Sequence, residues 1–184
     1  MSDINPLVPR QKVPDLTVPL VGGGTWSLAS SNAGNFTMVV FYRGLHCPIC
    51  NRYLNDLQST QAAFNERGVE VVVISSDNEA RAVEAKESWK LGELAIGHSL
   101  DLNTARDWGL YVSAGRGKTS TGVEEPDLFS EPGLFLVRPD GTLYFGTVQT
   151  MPFARPHFAD LIPALDFVLK TDYPARGEIE TVTA

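Results

Sequence analysis

Cysteine is scarce in this sequence. Two in 184 residues are too few for the disulfide framework of a small secreted domain. Basic clusters are missing as well. Lys plus Arg is 15 against 22 Asp plus Glu, a net charge of −7, which argues against nucleic acid or an anionic membrane as the main partner. No apolar run approaches the span of a bilayer, so no transmembrane helix is expected. The opening Met1-Ser2-Asp3-Ile4-Asn5-Pro6 has neither a basic region nor an apolar stretch, so a secretory signal is not read there and a cytoplasmic setting is the expectation. Internal repeats and inter-domain linkers are also lacking. With 43% hydrophobic and 20% charged residues, the chain has the composition to bury a core, and residues 1–184 read as a single domain.

Four of the 12 prolines (Pro6, Pro9, Pro14 and Pro19) fall in the first 20 residues. That density prevents helix and predicts an extended arm over residues 1–12. Asp15 to Val18 and Thr25 to Leu28, separated by Gly22-Gly23-Gly24, predict a small β-hairpin. Phe36 to Tyr42 and Val69 to Ser75 are short apolar runs rich in β-branched residues, as in strands buried on both faces. Between them, Tyr53, Leu54, Leu57 and Phe64 recur at helical spacing from Asn51 to Arg67, and Gly68 is a stop. Asp77 is the expected N-cap of a helix reaching about Leu91, ended by Gly92. A weaker strand over Leu94–Leu100 and a short helix over Asp101–Trp108 follow.

Residues 113–132 read as a long loop, carrying Gly115, Gly117, Gly122, Pro126 and Pro132 among polar residues. Leu134–Val137 and Leu143–Val148 flank Arg138-Pro139-Asp140-Gly141, an Asp-Gly hairpin signature. Phe158, Leu161, Ile162, Leu165 and Val168 mark a final amphipathic helix that Pro163 should bend or delay. Residues 174–184 read as a frayed tail. Strands alternating with helices demand parallel crossovers, and the late hairpin adds antiparallel edge strands. The expected fold is α/β: a three-layer sandwich, a mixed β-sheet flanked by helices, with an N-terminal β-hairpin.

The two cysteines, Cys47 and Cys50, lie three apart where a buried strand gives way to a helix. Sites in open α/β sheets form at the carboxyl ends of strands. Free N–H groups and the dipole of a helix start stabilise a thiolate, which lowers its pKa and makes it a nucleophile near neutral pH. One helical turn lets the second sulfur close a disulfide onto the first. Pro48 suits the first turn, which requires no N–H, and Arg43 and His46 stand ready to add positive charge. A zinc site fits less well: it needs four ligands, and beyond the cysteines only His46, His98 and His157 exist, without a second paired motif. Inert buried thiols fit poorly with flanking His, Pro and Gly. No metal and no cofactor is called for.

Phe41-Tyr42-Arg43-Gly44-Leu45-His46-Cys47-Pro48-Ile49-Cys50, followed by Tyr53-Leu54, resembles the active-site segment of thioredoxin-fold proteins. More narrowly, it resembles the peroxiredoxin-like branch of the alkyl hydroperoxide reductase C/thiol-specific antioxidant family. Pro14 to Leu20 through Thr25–Leu28 is similar to that family's N-terminal hairpin, and Gly133 to Gly141 to its late strand-turn-strand, so the likeness covers nearly all of residues 13–170. It implies a thioredoxin-like fold, a thiol-based antioxidant enzyme and a thioredoxin- or glutathione-type reductant. It also implies a peroxide or a protein or small-molecule disulfide as substrate, and a homodimer as the assembly.

The departures matter. The family carries a Pro-x-x-x-Thr-x-x-Cys segment and an arginine before the late strand. Registered on Cys50, the Pro and Thr places hold Arg43 and Cys47; registered on Cys47, they hold Val40 and Gly44. Pro132 takes the place of the late arginine, and resembles instead the cis-proline that thioredoxins pack against their sulfurs. Arg155 resembles a second family arginine near the reactive sulfur, although by position it reads as a solvated residue at a helix start. Two mechanisms follow. In one, Cys47 is the exposed thiolate and attacks a substrate disulfide, and Cys50 resolves the mixed disulfide. In the other, a thiolate reduces a peroxide and its neighbour condenses on the sulfenic acid. A third reading is a binding or redox-sensing module in which the 113–132 loop is the recognition surface.

Overall fold

The computed structural model describes residues 5–181. Its centre is a five-stranded mixed sheet of β3 (Phe36–Phe41), β4 (Val69–Ile74), β5 (Ala95–Gly97), β8 (Gly133–Val137) and β9 (Leu143–Val148), in the order β5-β4-β3-β8-β9. β3, β4 and β5 run parallel; β8 and β9 are antiparallel to their neighbours. Side chains of β3 alternate between two cores. Phe36, Met38 and Val40, joined by Tyr42 just past the strand's end, face one, under α1 (Pro48–Glu66), α2 (Glu79–Ser88) and α4 (Phe158–Thr171). Val39 and Phe41 face the other, with Trp108 and the hairpin β1 (Thr17–Pro19) and β2 (Thr25–Ser27), beside α3 (Leu102–Asp107). The period of two in the strand and apolar residues on both faces account for the three layers.

Several local expectations shift. α1 begins at Pro48, not Asn51, because Cys47 itself caps it. It ends before Gly68, whose φ of 65° supplies the left-handed turn into β4. Asn78, not Asp77, caps α2: its side chain accepts the Arg81 N–H, and Asp77 is turned inward to another task. The strand expected over Leu94–Leu100 shortens to β5. α4 starts at Phe158 despite Pro163, which sits in its second turn.

The long loop is not wholly irregular. Val112–Ala114 (β6) and Leu128–Ser130 (β7) pair antiparallel as a separate two-stranded ribbon, which the glycines and prolines between them obscure in the sequence. The described arm is neither fully extended nor free: it turns over Val8–Gln11, where the Gln11 N–H donates to the Val8 carbonyl and Arg10 has a φ of 70°. Leu143, on the outer edge of β9, exchanges backbone hydrogen bonds with Arg10 and Gln11, and residues 1–4 of the expected arm lie outside the described residues.

The tail is not frayed over its described part. Ala175 is buried, Arg10 Nε donates to its carbonyl at 2.9 Å, and Arg10 pairs with Glu178 at 3.1 Å. The apolar methyl and the satisfied guanidinium tie the last residues back to the arm; residues 182–184 lie outside the described part. Truncation after Tyr173 should therefore lower stability by about 1–2 kcal/mol, the worth of one small buried side chain and one charged hydrogen bond. A thermal melt unchanged by the truncation would restore the frayed reading.

Candidate active site

The carboxyl end of β3 delivers residues 42–47 to the start of α1. Cys47 is the N-cap, with extended φ and ψ of −100° and 98°, and the Cys50 N–H donates to Cys47 Sγ at 3.1 Å. Pro48 occupies the first helical position without removing a bond the helix needs. Cys47 and Cys50 are joined as a disulfide, with Cα atoms 5.2 Å apart. Cys47 is 2% exposed, not the exposed sulfur expected from the sequence, because the loop and the first turn of α1 cover it, and Cys50 is fully buried. The helix start therefore offers an N–H and the positive end of a 19-residue dipole to the Cys47 sulfur.

Arg155 comes to the other sulfur. The chain leaving β9 lays it against α1, with Nη2 3.8 Å from Cys50 Sγ and the guanidinium 3.9 Å over the Tyr53 ring. Tyr53, one turn beyond Cys50, also fastens this segment by donating its hydroxyl to the Pro156 carbonyl at 2.9 Å. Arg155 is thus half-buried, not the solvated residue its position suggests. Burial lowers its pKa to about 10, which leaves it cationic at neutral pH. Its Nη1 is buried without a hydrogen-bond partner among the described residues.

Arg43 and His46 do not add positive charge in the way their sequence positions suggest. Arg43 pairs with two carboxylates, Glu131 at 3.3 Å and Glu125 at 3.8 Å. Its guanidinium lies 4.6 Å over the ring of Phe129, whose ring centre is also 4.6 Å from that of His46. His46 is fully buried, and burial drives its pKa down to about 4, against the pull of Asp77, so the ring is neutral at neutral pH. Burial also raises the Glu131 pKa, opposed by the Ser113 hydroxyl and Arg43. These residues tie the cysteine loop to the β6–β7 ribbon.

Asp77 and Phe129 carry the loop yet escaped the sequence reading. Asp77 Oδ2 accepts the Leu45 N–H at 2.7 Å and Oδ1 accepts Arg81 Nε at 2.9 Å. Its only sequence signal is a carboxylate before a helix, which points to capping. Phe129 sits in a segment that reads as loop.

Pro132 is buried and precedes β8, where Gly133 pairs with Phe41. The described chain holds no cis peptide, so the Glu131–Pro132 bond is trans, unlike the thioredoxin proline. The Glu131 N–H bonds back to Tyr111, and the Pro132 carbonyl accepts from Gln149, so the chain passes from ribbon to sheet in the ordinary isomer. Among the described residues no group of three or more His, Cys, Asp or Glu side chains is placed to hold a metal. No described helix is long and apolar enough to cross a membrane.

Comparison with known proteins agrees with this geometry. The model described as the AhpC/TSA family matches residues 9–145, which includes both cysteines and stops short of Arg155. No curated protein sequence matches the chain. Among solved structures, the Plasmodium vivax 2-Cys peroxiredoxin in its reduced form is similar with a TM-score of 0.73 at 15% identity, over 96% of this chain and 92% of that one. Peroxidoxin BcpB from Mycobacterium tuberculosis gives 0.68 at 16%, over 88% and 98%. A peroxiredoxin-like protein from Aquifex aeolicus gives 0.69 at 12%, over 90% of each chain. At such identities the likeness speaks for the fold.

Proposed function

We propose that this chain, which belongs to the AhpC/TSA family and is a thiol-based redox enzyme, works by opening and closing the Cys47–Cys50 bond. The observation that carries the reading is the pair itself: two sulfurs one turn apart at a helix start, each with its own stabiliser. Cys47 accepts the Cys50 N–H, and Cys50 lies beside Arg155. Reduced Cys47, as thiolate, attacks one sulfur of a substrate disulfide and expels the other as a thiolate, which takes up a proton. Cys50 then gives up its proton and attacks Cys47 in the mixed disulfide, releasing the second half of the substrate. The substrate gains two electrons and the enzyme regains the bridge seen here. A thioredoxin- or glutathione-type thiol resets it, and the setting is the cytoplasm, where such donors keep thiols reduced.

The Arg155 contact favours a second reading in which the oxidant is a peroxide and Cys50 attacks it. One peroxide oxygen leaves as an alcohol or water, Cys50 becomes a sulfenic acid, and Cys47 condenses on it with loss of water. A cation at this distance from Cys50 favours a thiolate there and the negative charge that develops on a departing oxygen. Assays of hydrogen peroxide consumption and insulin-disulfide reduction, run side by side, separate the two. Disulfide reduction without peroxide consumption upholds the first reading, and the converse upholds the second. Activity in neither would sink the enzyme and leave a redox-sensing module.

Arg155→Met should raise the apparent pKa of the reduced Cys50 thiol by about one unit, since a neighbouring opposite charge lowers such a value by about 1–3. Thiolate absorbance followed across pH reads this directly. An unshifted titration curve would remove Arg155 from the chemistry.

A further inference from the structure

A cleft of about 430 Å³ opens between the first turns of α1 and the segment that leads into α4; neither cysteine lines it, and Arg155 on its wall connects it to Cys50. Its walls are apolar: Ile49, Tyr53, Pro152 and Phe153, the last 55% exposed. Two arginines line it. Arg52 is exposed on α1, and no ion pair holds it among the described residues, although Asp56 stands one turn further on. Arg155 reaches from the same cleft to Cys50 and keeps one buried nitrogen without a partner. Asp56 is the single carboxylate on the cleft. A local excess of positive charge over an apolar floor stands out in a chain whose net charge is −7.

We infer that this cleft selects an oxidant with an apolar body and a carboxylate, Arg52 holding the carboxylate at the mouth and Arg155 guiding the reacting end toward the sulfurs. The inference rests on the dithiol cycle proposed above and adds the class of molecule that enters it. The volume falls in the range of small-molecule sites, whose orientation is set by a few placed polar groups over apolar walls. An arginine recognises a carboxylate through paired, charge-assisted hydrogen bonds. The chemistry balances for either oxidant. A hydroperoxide and the dithiol give an alcohol, water and the bridge; a disulfide and the dithiol give two thiols and the bridge.

The test uses the full-length reduced protein and matched probes. A fatty-acid hydroperoxide is compared with its methyl ester, and the dianionic aryl disulfide 5,5′-dithiobis(2-nitrobenzoate) with neutral 4,4′-dithiodipyridine. The variants are Arg52→Glu, Arg52→Lys and Lys170→Glu. The last makes the same charge change in the final turn of α4, roughly 18 Å along that helix from its start.

In wild type and Lys170→Glu, the acid should outpace the ester about tenfold, the effect of one charge-assisted contact. Arg52→Glu should abolish the preference and Arg52→Lys should restore part of it. The pair of probes that shows the preference identifies the oxidant as peroxide or disulfide. Equal rates for both members of both pairs in wild type overturn the inference, as does a preference that survives Arg52→Glu. Mass spectrometry of the products keeps the two levels apart. A Cys47–Cys50 bridge formed without charge preference leaves the dithiol cycle standing, whereas no bridge with any probe overturns the cycle and this inference together.

Discussion

Cys47→Ser and Cys50→Ser should each reduce turnover by at least about a thousandfold, because loss of a covalent nucleophile removes the reaction path and not merely a contact. The two variants should fail differently. With Cys47 as the attacking sulfur, Cys50→Ser still attacks a substrate disulfide and stops there, so a mixed disulfide accumulates on Cys47. Cys47→Ser forms no such adduct. With Cys50 as the attacking sulfur, the pattern reverses, and a sulfenic acid on Cys50 builds up in Cys47→Ser under peroxide. Wild type should lose two hydrogens on mild oxidation as the bridge forms, and neither variant should. The buried sulfurs make this a demanding result. At 2% and 0% exposure, a pair that served only as filling would titrate sluggishly and leave activity intact when either sulfur became a hydroxyl.

The architecture was legible because its signals are repetitive. β3 and β4 are apolar on both faces, so any sheet that holds them must be covered on both sides. Phe41 and Trp108 in one core, and Met38 and Leu54 in the other, follow from alternation and helical spacing alone. The cysteine pair was legible because its spacing matches a helical turn. Neighbours in sequence proved poor guides to electrostatics. Arg43 and His46 flank the pair, yet one is spent on Glu131 and Glu125 and the other is kept neutral by burial.

The cation that does approach a sulfur lies 105 residues away, carried by the segment between β9 and α4. Its contact depends on Tyr53 donating to Pro156, a tertiary hydrogen bond with no local pattern. Phe129 was hidden for a similar reason. Its strand is three residues long and pairs only with another of three. The tail was misread because a single buried alanine and a distant arginine outweigh its polar composition.

The loop that presents Cys47 depends on a missing side chain, and Gly44→Ala should be strongly destabilising. Gly44 has a φ of 124°, where side chains are disfavoured, and a Cβ there would lie 2.6 Å from the Asp77 carboxyl carbon. Backbone strain of about 1–3 kcal/mol and overpacking of about 1–3 kcal/mol add to between about 2 and 6 kcal/mol. At this chain length that corresponds to a fall in melting temperature of roughly 10 °C. Gly23→Ala supplies the control. Its φ of 99° carries similar strain, but nothing lies within 4 Å of the added carbon, so it should cost the strain alone.

The carboxylate cannot simply retreat, because Asp77 satisfies the Leu45 N–H and holds Arg81 from a fully buried position. Asp77→Ala removes the obstruction and is itself destabilising, since it strands the Leu45 N–H. In that background Gly44→Ala should cost less than in wild type, a coupling that two independent sites would not show. Fully additive melting shifts would mean that the loop is held by something other than the fit of Asp77 beneath Gly44. A coupled pair would also slow closure of the cysteine bridge in the single Gly44 variant, since displacing residue 44 moves the N-cap three residues on.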